Sequence, residues 1–381
     1  MRSRTSVVQI ATGGVFFLVL GVILAAGLWP FDPWPTNQVR WLKDSNGLLF
    51  GHYPLVISSS PIELPDPGSS SVSLEIWVQT SRQLHQNTLL SIWAPENPGQ
   101  FRLIQHDDDL LVRSKAIDPS THSKTGEIRL SNLFDRDAQT FLTITAGPGG
   151  TAVYVDGKPI DEFHFFGLTQ RDLSGQLILG TSPLEHSPWL GELRGLAIYP
   201  SALSPSQVLA HFQKWVHNRE VELTQEEKPA ALYDFRDGSG QIVRNLASEA
   251  PDLLIPKHYA VPHKLFLERP WNEFHADRAY ARDILFNIAA FVPLGMAGYA
   301  FLFCSQPGPR AVWTTVLLGF ATSLTIEVLQ GFLPNRFSGT TDLLTNTLGT
   351  GIGVYLCAQT ALSDLLQQLR KKQVNHGEKN I

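Results

Sequence analysis

The chain has 381 residues, 43% of them hydrophobic and 17% charged, with a formal net charge of −5. That charged share lies below the ~25% of an ordinary soluble domain, yet the mean hydropathy of −0.04 is too low for a chain wholly embedded in lipid; the numbers average over unlike parts, and at roughly 100–200 residues per domain two or three fit. The weakly acidic balance, with a pI near 6.2, offers no field for nucleic acid, and the two cysteines, Cys304 and Cys357, both inside apolar runs, make neither a disulfide framework nor a metal cluster.

From Val7 to Leu28 the sequence reads VVQIATGGVFFLVLGVILAAGL without a charged residue. At about 1.5 Å per residue such a helix is roughly 33 Å long, enough to cross a hydrocarbon core of ~30 Å. Arg2 and Arg4, with the small pair Ala25 and Ala26, also fit a cleaved signal peptide. The apolar run exceeds the roughly 7–15 residues of that signal's hydrophobic region, however. A retained anchor is therefore expected, followed by an interfacial aromatic belt over Leu28 to Pro35 (LWPFDPWP).

Short alternating runs fill Asn46 to Trp215: Ser71 to Gln79 (SVSLEIWVQ), Phe101 to Ile104, Leu110 to Val112, Phe141 to Thr145 and Thr151 to Tyr154, separated by Gly, Pro, Asn and Asp. Period-two alternation predicts strands. Val155-Asp156-Gly157-Lys158 predicts a tight hairpin, because Asp and Gly accept the positive φ that such a turn needs. Many short strands at this spacing predict an all-β sandwich. Asp107, Asp108 and Asp109 form a candidate oxygen-ligand site for a hard cation such as Ca2+; the plainer reading of the same run is a solvated hairpin tip. Trp93 and Trp189 are candidates to stack on sugar rings, although a sandwich Trp is more often core.

SVSLEIWVQT, FLTITAGPGGTAVYVDGKPI, LILGTSP and WLGELRGLAIYPSALSPSQVLAHF, in that order, resemble the laminin G-like, concanavalin A-like jelly-roll family over most of Asn46 to Phe212. The resemblance implies binding of a carbohydrate or protein ligand, often helped by calcium. Fold alone assigns no ligand. Ala231 to Pro256 resembles the opening strand pattern of such domains but follows the main body here. It is either a displaced strand closing the sandwich or a linker packed on it.

After Arg282 come three further apolar runs, Ile284 to Cys304, Ala311 to Phe332 and Leu343 to Leu362, separated by the breakers SQPGPR and LPNRFSGTTD. With the first helix they predict a bundle of four transmembrane helices. Basic residues set its orientation. Arg2 and Arg4, then Arg310, then Arg370, Lys371 and Lys372 all fall on one side, the cytoplasm. Trp29 to Arg282 and the loop Leu333 to Thr341 then face outward.

Polar residues gather at that outward side. Asp283, Asn287, Phe291 and Gly295 recur at steps of four, Glu327 and Gln330 close the next helix, Pro334 and Arg336 lie in the outer loop, and Asp342, Asn346, Gly349 and Gly353 follow at four, three and four. An ionised side chain at mid-bilayer costs about 2.5–3.5 kcal/mol, so such groups face a bundle interior and find partners. The candidate membrane site is Asp283, Asn287, Glu327, Gln330, Arg336, Asp342 and Asn346. Arg336 or Arg282 is placed to neutralise Glu327, and the asparagines to bond between helices. Phe291, Pro293, Gly295, Gly349 and Gly353 read as packing residues.

DILFNIAAFVPLG and IEVLQGFLPNRFSGTTDLLTNTLGTGIG resemble the VanZ-like family: Asn and Phe-x-Pro-Leu-Gly in one span, Glu-x-x-Gln closing the next, a Pro-x-Arg loop, and Asp-x-x-x-Asn-x-x-Gly opening the last. Leu28-Trp29-Pro30-Phe31 is similar to the exit of that family's first helix, which makes the jelly roll an insertion in the first outward loop. One departure is Arg282-Asp283, where relatives often carry Lys and His. The resemblance implies association with the bacterial cell envelope, and glycopeptide (teicoplanin) resistance in the founding member.

The expected organisation is a cytoplasmic N-terminus and first span over 1–35, the sandwich over 41–222, a closing strand or linker over 223–282, the VanZ-like domain over 283–364 and a basic cytoplasmic tail over 365–381. The expected function is that of an integral protein of the bacterial cytoplasmic membrane, both termini cytoplasmic, whose extracytoplasmic β-domain binds an envelope glycan or surface polymer. Membrane lipids are the other expected partner, and nucleic acid is not one. In that reading the four-helix unit acts at the outer leaflet, with Arg336 to hold a phosphate or carboxylate and Glu327 or Asp342 as an acid or base; the alternatives are an enzyme acting on a lipid-linked cell-wall precursor and a structural anchor for the β-domain. No nucleophile motif supports the enzyme, and among the twelve His the group His258, His263 and His275 lacks a ligand spacing.

Overall fold

The structure, a computed structural model, describes residues 4–81, 86–116, 124–135, 138–184, 188–247, 250–264, 266–267, 269–273, 278–303, 308–334, 336 and 338–359. Arg2, Cys304, His275, the end of the expected fourth span and the basic run Arg370, Lys371 and Lys372 lie outside the described residues. Two compact units divide the chain: Trp34–Lys264, and the pair of segments Met1–Pro33 and Leu265–Ile381. The β-unit thus interrupts the helical unit in sequence. The long helices are α1 (Arg4–Leu28), α2 (Pro205–Val216), α3 (Arg278–Phe303), α4 (Pro309–Gln330) and α5 (Thr340–Gln359).

The β-unit is built from two antiparallel sheets. One runs in the order Val39–Trp41, Leu48–Phe50, Gly191–Tyr199, Val72–Thr80, Gln139–Gly147, Gly150–Val155 and Lys158–Phe163, with Ala231–Tyr233 also paired to Gly191–Tyr199. The other runs Ile242–Val243, Leu253–Leu254, Val56–Ser58, Gln176–Leu179, Gln86–Ala94, Asn97–His106, Asp109–Ala116 and Lys124–Leu130. The segment Ala231 to Pro256 therefore contributes strands to both sheets. At the Asp-Gly hairpin Val155 pairs with Lys158, and Asp156 and Gly157 take φ of 50° and 75°, the primed turn whose twist matches the flanking strands.

Alternation in SVSLEIWVQ has an unexpected outcome. Val72, Leu74, Ile76 and Val78 enter the main core together with Leu90, Ile92, Phe101 and Leu103 of the other sheet. On the opposite face a second core joins Phe141, Tyr199 and Leu232 to Val208 and Trp215 of α2. Both faces of the strand are covered, so Ser73 and Glu75 are buried at 1% and 0% exposure. α2 starts in a capping box, Ser204 with Gln207, and carries Pro205 at its first position. Such a cap stabilises a helix by about 1 kcal/mol.

In the helical unit, Phe16 and Ile23 of α1 pack against Phe291, Leu294 and Ala297 of α3 and Ile326 of α4. Tyr299, Phe303, Ala311, Val354 and Cys357 join α3, α4 and α5 in a further cluster. Among the described residues three helices are long and apolar enough to cross a membrane: Gln9–Leu28, Tyr280–Phe303 and Pro309–Gln330. The expected fourth, α5, falls short on hydropathy because Asp342, Asn346 and five threonines dilute its apolar residues, which lie on one side. Leu344, Leu348, Ile352 and Tyr355 point outward, while Thr341, Asn346, Gly349, Thr350 and Gly353 are buried.

Candidate functional site

The helical unit brings six of the seven candidate polar residues into bonds that cross between elements. Asn287 Nδ2 of α3 donates to Asp342 Oδ1 of α5 at 2.7 Å. Glu327, only 1% exposed, accepts the Gly339 backbone N–H through Oε2 at 2.8 Å and so ties the end of α4 to the start of α5. Gln330 Nε2 donates to the Gly27 carbonyl near the end of α1 at 2.8 Å. Arg336 donates to the Trp29 carbonyl, and Asn346 Nδ2 donates to Ser323 Oγ at 3.0 Å. Asp283 stands apart: its side chain is 65% exposed, with Arg282 3.8 Å away. Glu327 thus takes a backbone amide donor, while Arg336 turns to the Trp29 carbonyl and Arg282 lies 3.8 Å from Asp283.

Small residues set how close α3 and α5 approach. A Cβ at Gly349 would lie 2.2 Å from the Ile288 carbonyl oxygen, one at Gly353 2.1 Å from that of Val292, and one at Gly295 2.1 Å from that of Thr350. Backbone faces backbone at all three positions, so no side chain can yield. Phe291 is buried between α1 and α3, whereas Pro293, inside α3, is exposed. Ser323, Ser338 and Thr350, absent from the expected set, are also buried here. A hydroxyl-bearing residue alone carries no signal in a sequence; only the step-of-four spacing of Thr350 from Asn346, whose carbonyl it bonds at 3.0 Å, foreshadows it.

Among the β-unit candidates, Trp189 and the Asp107–Asp109 run take the plainer of their two readings. Trp189 is 0% exposed, set edge-on to Phe50, and its Nε1 donates to Gln105 Oε1 at 2.8 Å. It is a core residue and cannot stack on a sugar. Trp93 is half-buried with its ring stacked on His263. Asp107 takes φ of 57° in the turn joining two strands, and Asp109 accepts the Asn132 N–H at 2.8 Å and pairs with Arg129. The Asn132 N–H, assisted by Arg129, holds the Asp109 carboxyl below the usual aspartate value. The run is a hairpin tip whose last carboxylate is already satisfied, and among the described residues no group of three or more His, Cys, Asp or Glu is arranged to hold a metal. His258 bonds the Trp34 carbonyl and His263 the Gln176 side chain.

Comparison with known proteins matches two families, the second in chain order beginning within the β-unit. Residues 207–363 match the VanZ/LLP1 family model, and residues 57–209 match that of the concanavalin A-like lectin/glucanases superfamily. The chain carries a VanZ-like domain and a concanavalin A-like domain. The VanZ-like family is a membrane family, and three helices of this chain can span a bilayer. Among solved structures, the botulinum neurotoxin serotype D ligand binding domain in complex with N-acetylneuraminic acid is 13% identical over 47% of this chain and 45% of its own, with a TM-score of 0.35. A heptameric SAP-like pentraxin from Limulus polyphemus is 14% identical over 46% of this chain and 79% of its own, with a TM-score of 0.32. The chain spans less than half the length of that toxin domain. No curated protein sequence matches the chain.

Proposed function

We propose that this is an envelope protein of the bacterial cytoplasmic membrane in which the VanZ-like unit crosses the membrane and the concanavalin A-like unit, outside the cell, binds an envelope glycan or surface polymer. One observation supports the reading: in sequence the β-unit stands between α1 and α3 of the helical unit. A protein that breaks its membrane unit to present a ligand-binding fold couples the two. The basic residues support the orientation, since Arg4, Arg310 and Arg370 share one side when α1, α3, α4 and α5 all cross. The exposed apolar stripe of α5 supports that fourth crossing. Glycopeptide resistance is the phenotype this role predicts.

The polar residues of the VanZ-like unit act as interhelical latches in this reading. Asn287, Glu327, Gln330 and Asn346 each bond a partner on another element, which favours a positioning role over acid–base chemistry. The test is retention of full-length, detergent-solubilised protein on purified peptidoglycan and on wall polymer, with and without calcium. Retention on either polymer is expected. Failure on both, with the protein folded, overturns the reading.

A further inference from the structure

Five large aromatic side chains of the helical unit are exposed at one end of it: Trp29 and Phe31 after α1, Phe266 and Trp271 before α3, and Phe332 after α4. That they share an end follows from bonds between elements. Gln330, closing α4, donates to the Gly27 carbonyl near the end of α1, and Arg336 donates to that of Trp29. The Leu267 N–H donates to Ser338 Oγ, between α4 and α5, at 3.4 Å, and a Cβ at Gly331 would lie 2.7 Å from the Phe266 ring. The single turn Pro270–Glu273 lies against α5. Phe266, Leu267 and Trp271 are therefore laid over the connection from α4 to α5, where the sequence alone suggested only an outward linker.

One exposed apolar side chain is ordinary, but five rings from three separate segments make a patch, and such a patch marks contact with a partner or a membrane. Residue type favours the membrane. Trp29 and Trp271 are 73% and 70% exposed, and an indole, apolar apart from one N–H donor, suits the boundary between hydrocarbon and headgroups. Arg269 holds its guanidinium 5.7 Å over the Trp271 ring. A long apolar stem with a charged head suits the same boundary.

Spacing along α4 agrees. Trp313, near the other end of that helix, is 71% exposed. From Trp313 to Gln330 the helix rises about 26 Å at ~1.5 Å per residue, close to the ~30 Å of a hydrocarbon core. Two aromatic levels thus stand about one bilayer apart, and Phe332, just past the end of α4, belongs to the same level as Trp29 and Trp271. A protein partner at this end alone would impose no such distance.

We propose that Phe266, Arg269 and Trp271 lie in the phospholipid headgroup layer together with Trp29, Phe31 and Phe332, so that the approach to α3 is held by lipid as well as by the loop it covers. The inference rests on the membrane-crossing reading above and adds a lipid contact outside the spans. The test uses the full-length protein in phosphatidylcholine vesicles, with the emission of one indole read as the difference between the parent and its Trp→Phe variant. Trp271→Phe and Trp29→Phe report the collar, and Trp313→Phe the far end of α4. Lipid brominated near the headgroup should lower the Trp271 difference emission at least about twofold, and lipid brominated at the chain ends should lower it less. If Trp271→Phe fails to fold, Phe266→Trp adds an indole to the same segment and its gained emission is read in the same way. A Trp271 indole quenched by aqueous iodide and untouched by either brominated lipid overturns the proposal; if Trp313 is still quenched by brominated lipid, the crossing of α4 stands. Stronger quenching of Trp271 by the chain-end bromines puts the segment inside the hydrocarbon and also overturns the proposal. Absence of bromolipid quenching at Trp29, Trp271 and Trp313 alike overturns both.

Discussion

Glu75 and His211 meet at 2.9 Å, Oε1 to Nδ1, with both side chains closed off from solvent. The second oxygen of Glu75 accepts the Tyr199 hydroxyl at 3.0 Å and the Trp215 indole N–H at 3.1 Å. One carboxylate on the strand Val72–Thr80 thus holds a neighbouring strand and α2 together. Burial, reinforced by Glu75, pushes the Tyr199 phenol well above its ordinary value. Removing one member of a buried charged network strands the others at about 3–5 kcal/mol. Glu75→Ala should therefore lower the stability of the β-unit by about that amount, read as a shift in the urea midpoint of tryptophan fluorescence. Glu75→Gln should lose less, because its carbonyl still accepts one bond. An alanine variant as stable as the parent would show that α2 is held by its apolar contacts alone.

A second expectation concerns the α3–α5 contact. Gly349→Ala and Gly353→Ala would each drive a methyl into a carbonyl oxygen of α3, whereas a Cβ at Gly351 meets nothing within 4 Å. Overpacking of this kind costs about 1–3 kcal/mol. The first two variants should lose that much in a reversible detergent-unfolding assay, and Gly351→Ala should be neutral or slightly stabilising through helix propensity. Equal behaviour of the three would mean that α3 and α5 do not approach this closely.

Much of this architecture is readable from spacing. Gly349 and Gly353 stand four apart, and their close-packing role follows from that step alone. Asn287, Glu327 and Asp342 announce themselves because polar groups are costly among apolar ones. What escapes is set by distant partners. Glu75 reads as the solvent side of an alternating strand, and only α2, more than a hundred residues later, covers it. Asp283 shares the step-of-four row of Asn287 but is left exposed. Trp189 has the composition of a sugar platform, yet Phe50 and Gln105 enclose it. The apolar stripe of α5 is masked because an average over the helix blends its exposed apolar residues with its polar buried ones.

Acid should act in opposite senses on two carboxylates of the β-unit. Asp109 is held below the ordinary aspartate value by the Asn132 N–H and Arg129, so its contribution is complete at neutral pH and is lost as pH falls through its folded-state value. Burial raises Glu220 above the ordinary glutamate value, against the pull of Arg236. Its folded form takes up a proton more readily than its unfolded form, so this group favours the fold increasingly as pH falls through its raised value toward the ordinary one. Carboxyl carbon shifts followed by NMR should place the Asp109 midpoint below that of a free aspartate and the Glu220 midpoint above that of a free glutamate. Asp109→Asn should remove the first dependence and Glu220→Gln the second; the reverse order of midpoints would contradict both assignments.

The latch between Asn287 and Asp342 makes a direct test of the membrane cluster. Their 2.7 Å bond joins α3 to α5 across 55 residues of sequence. Hydrogen bonds between membrane helices average about 0.6 kcal/mol, with a maximum near 1.7, because the dissociated helices find other partners. A double-mutant cycle of Asn287→Ala and Asp342→Ala, measured by unfolding in mixed micelles, should return a coupling within that range. Asp283→Ala, on the exposed first turns of α3, should couple to neither. If acid–base chemistry at Asp342 were the purpose of the cluster, Asp342→Asn would keep the bond and the stability while abolishing the envelope phenotype. A latch predicts instead that phenotype follows stability, with Asp342→Asn close to the parent and Asp342→Ala impaired in proportion to its loss of fold.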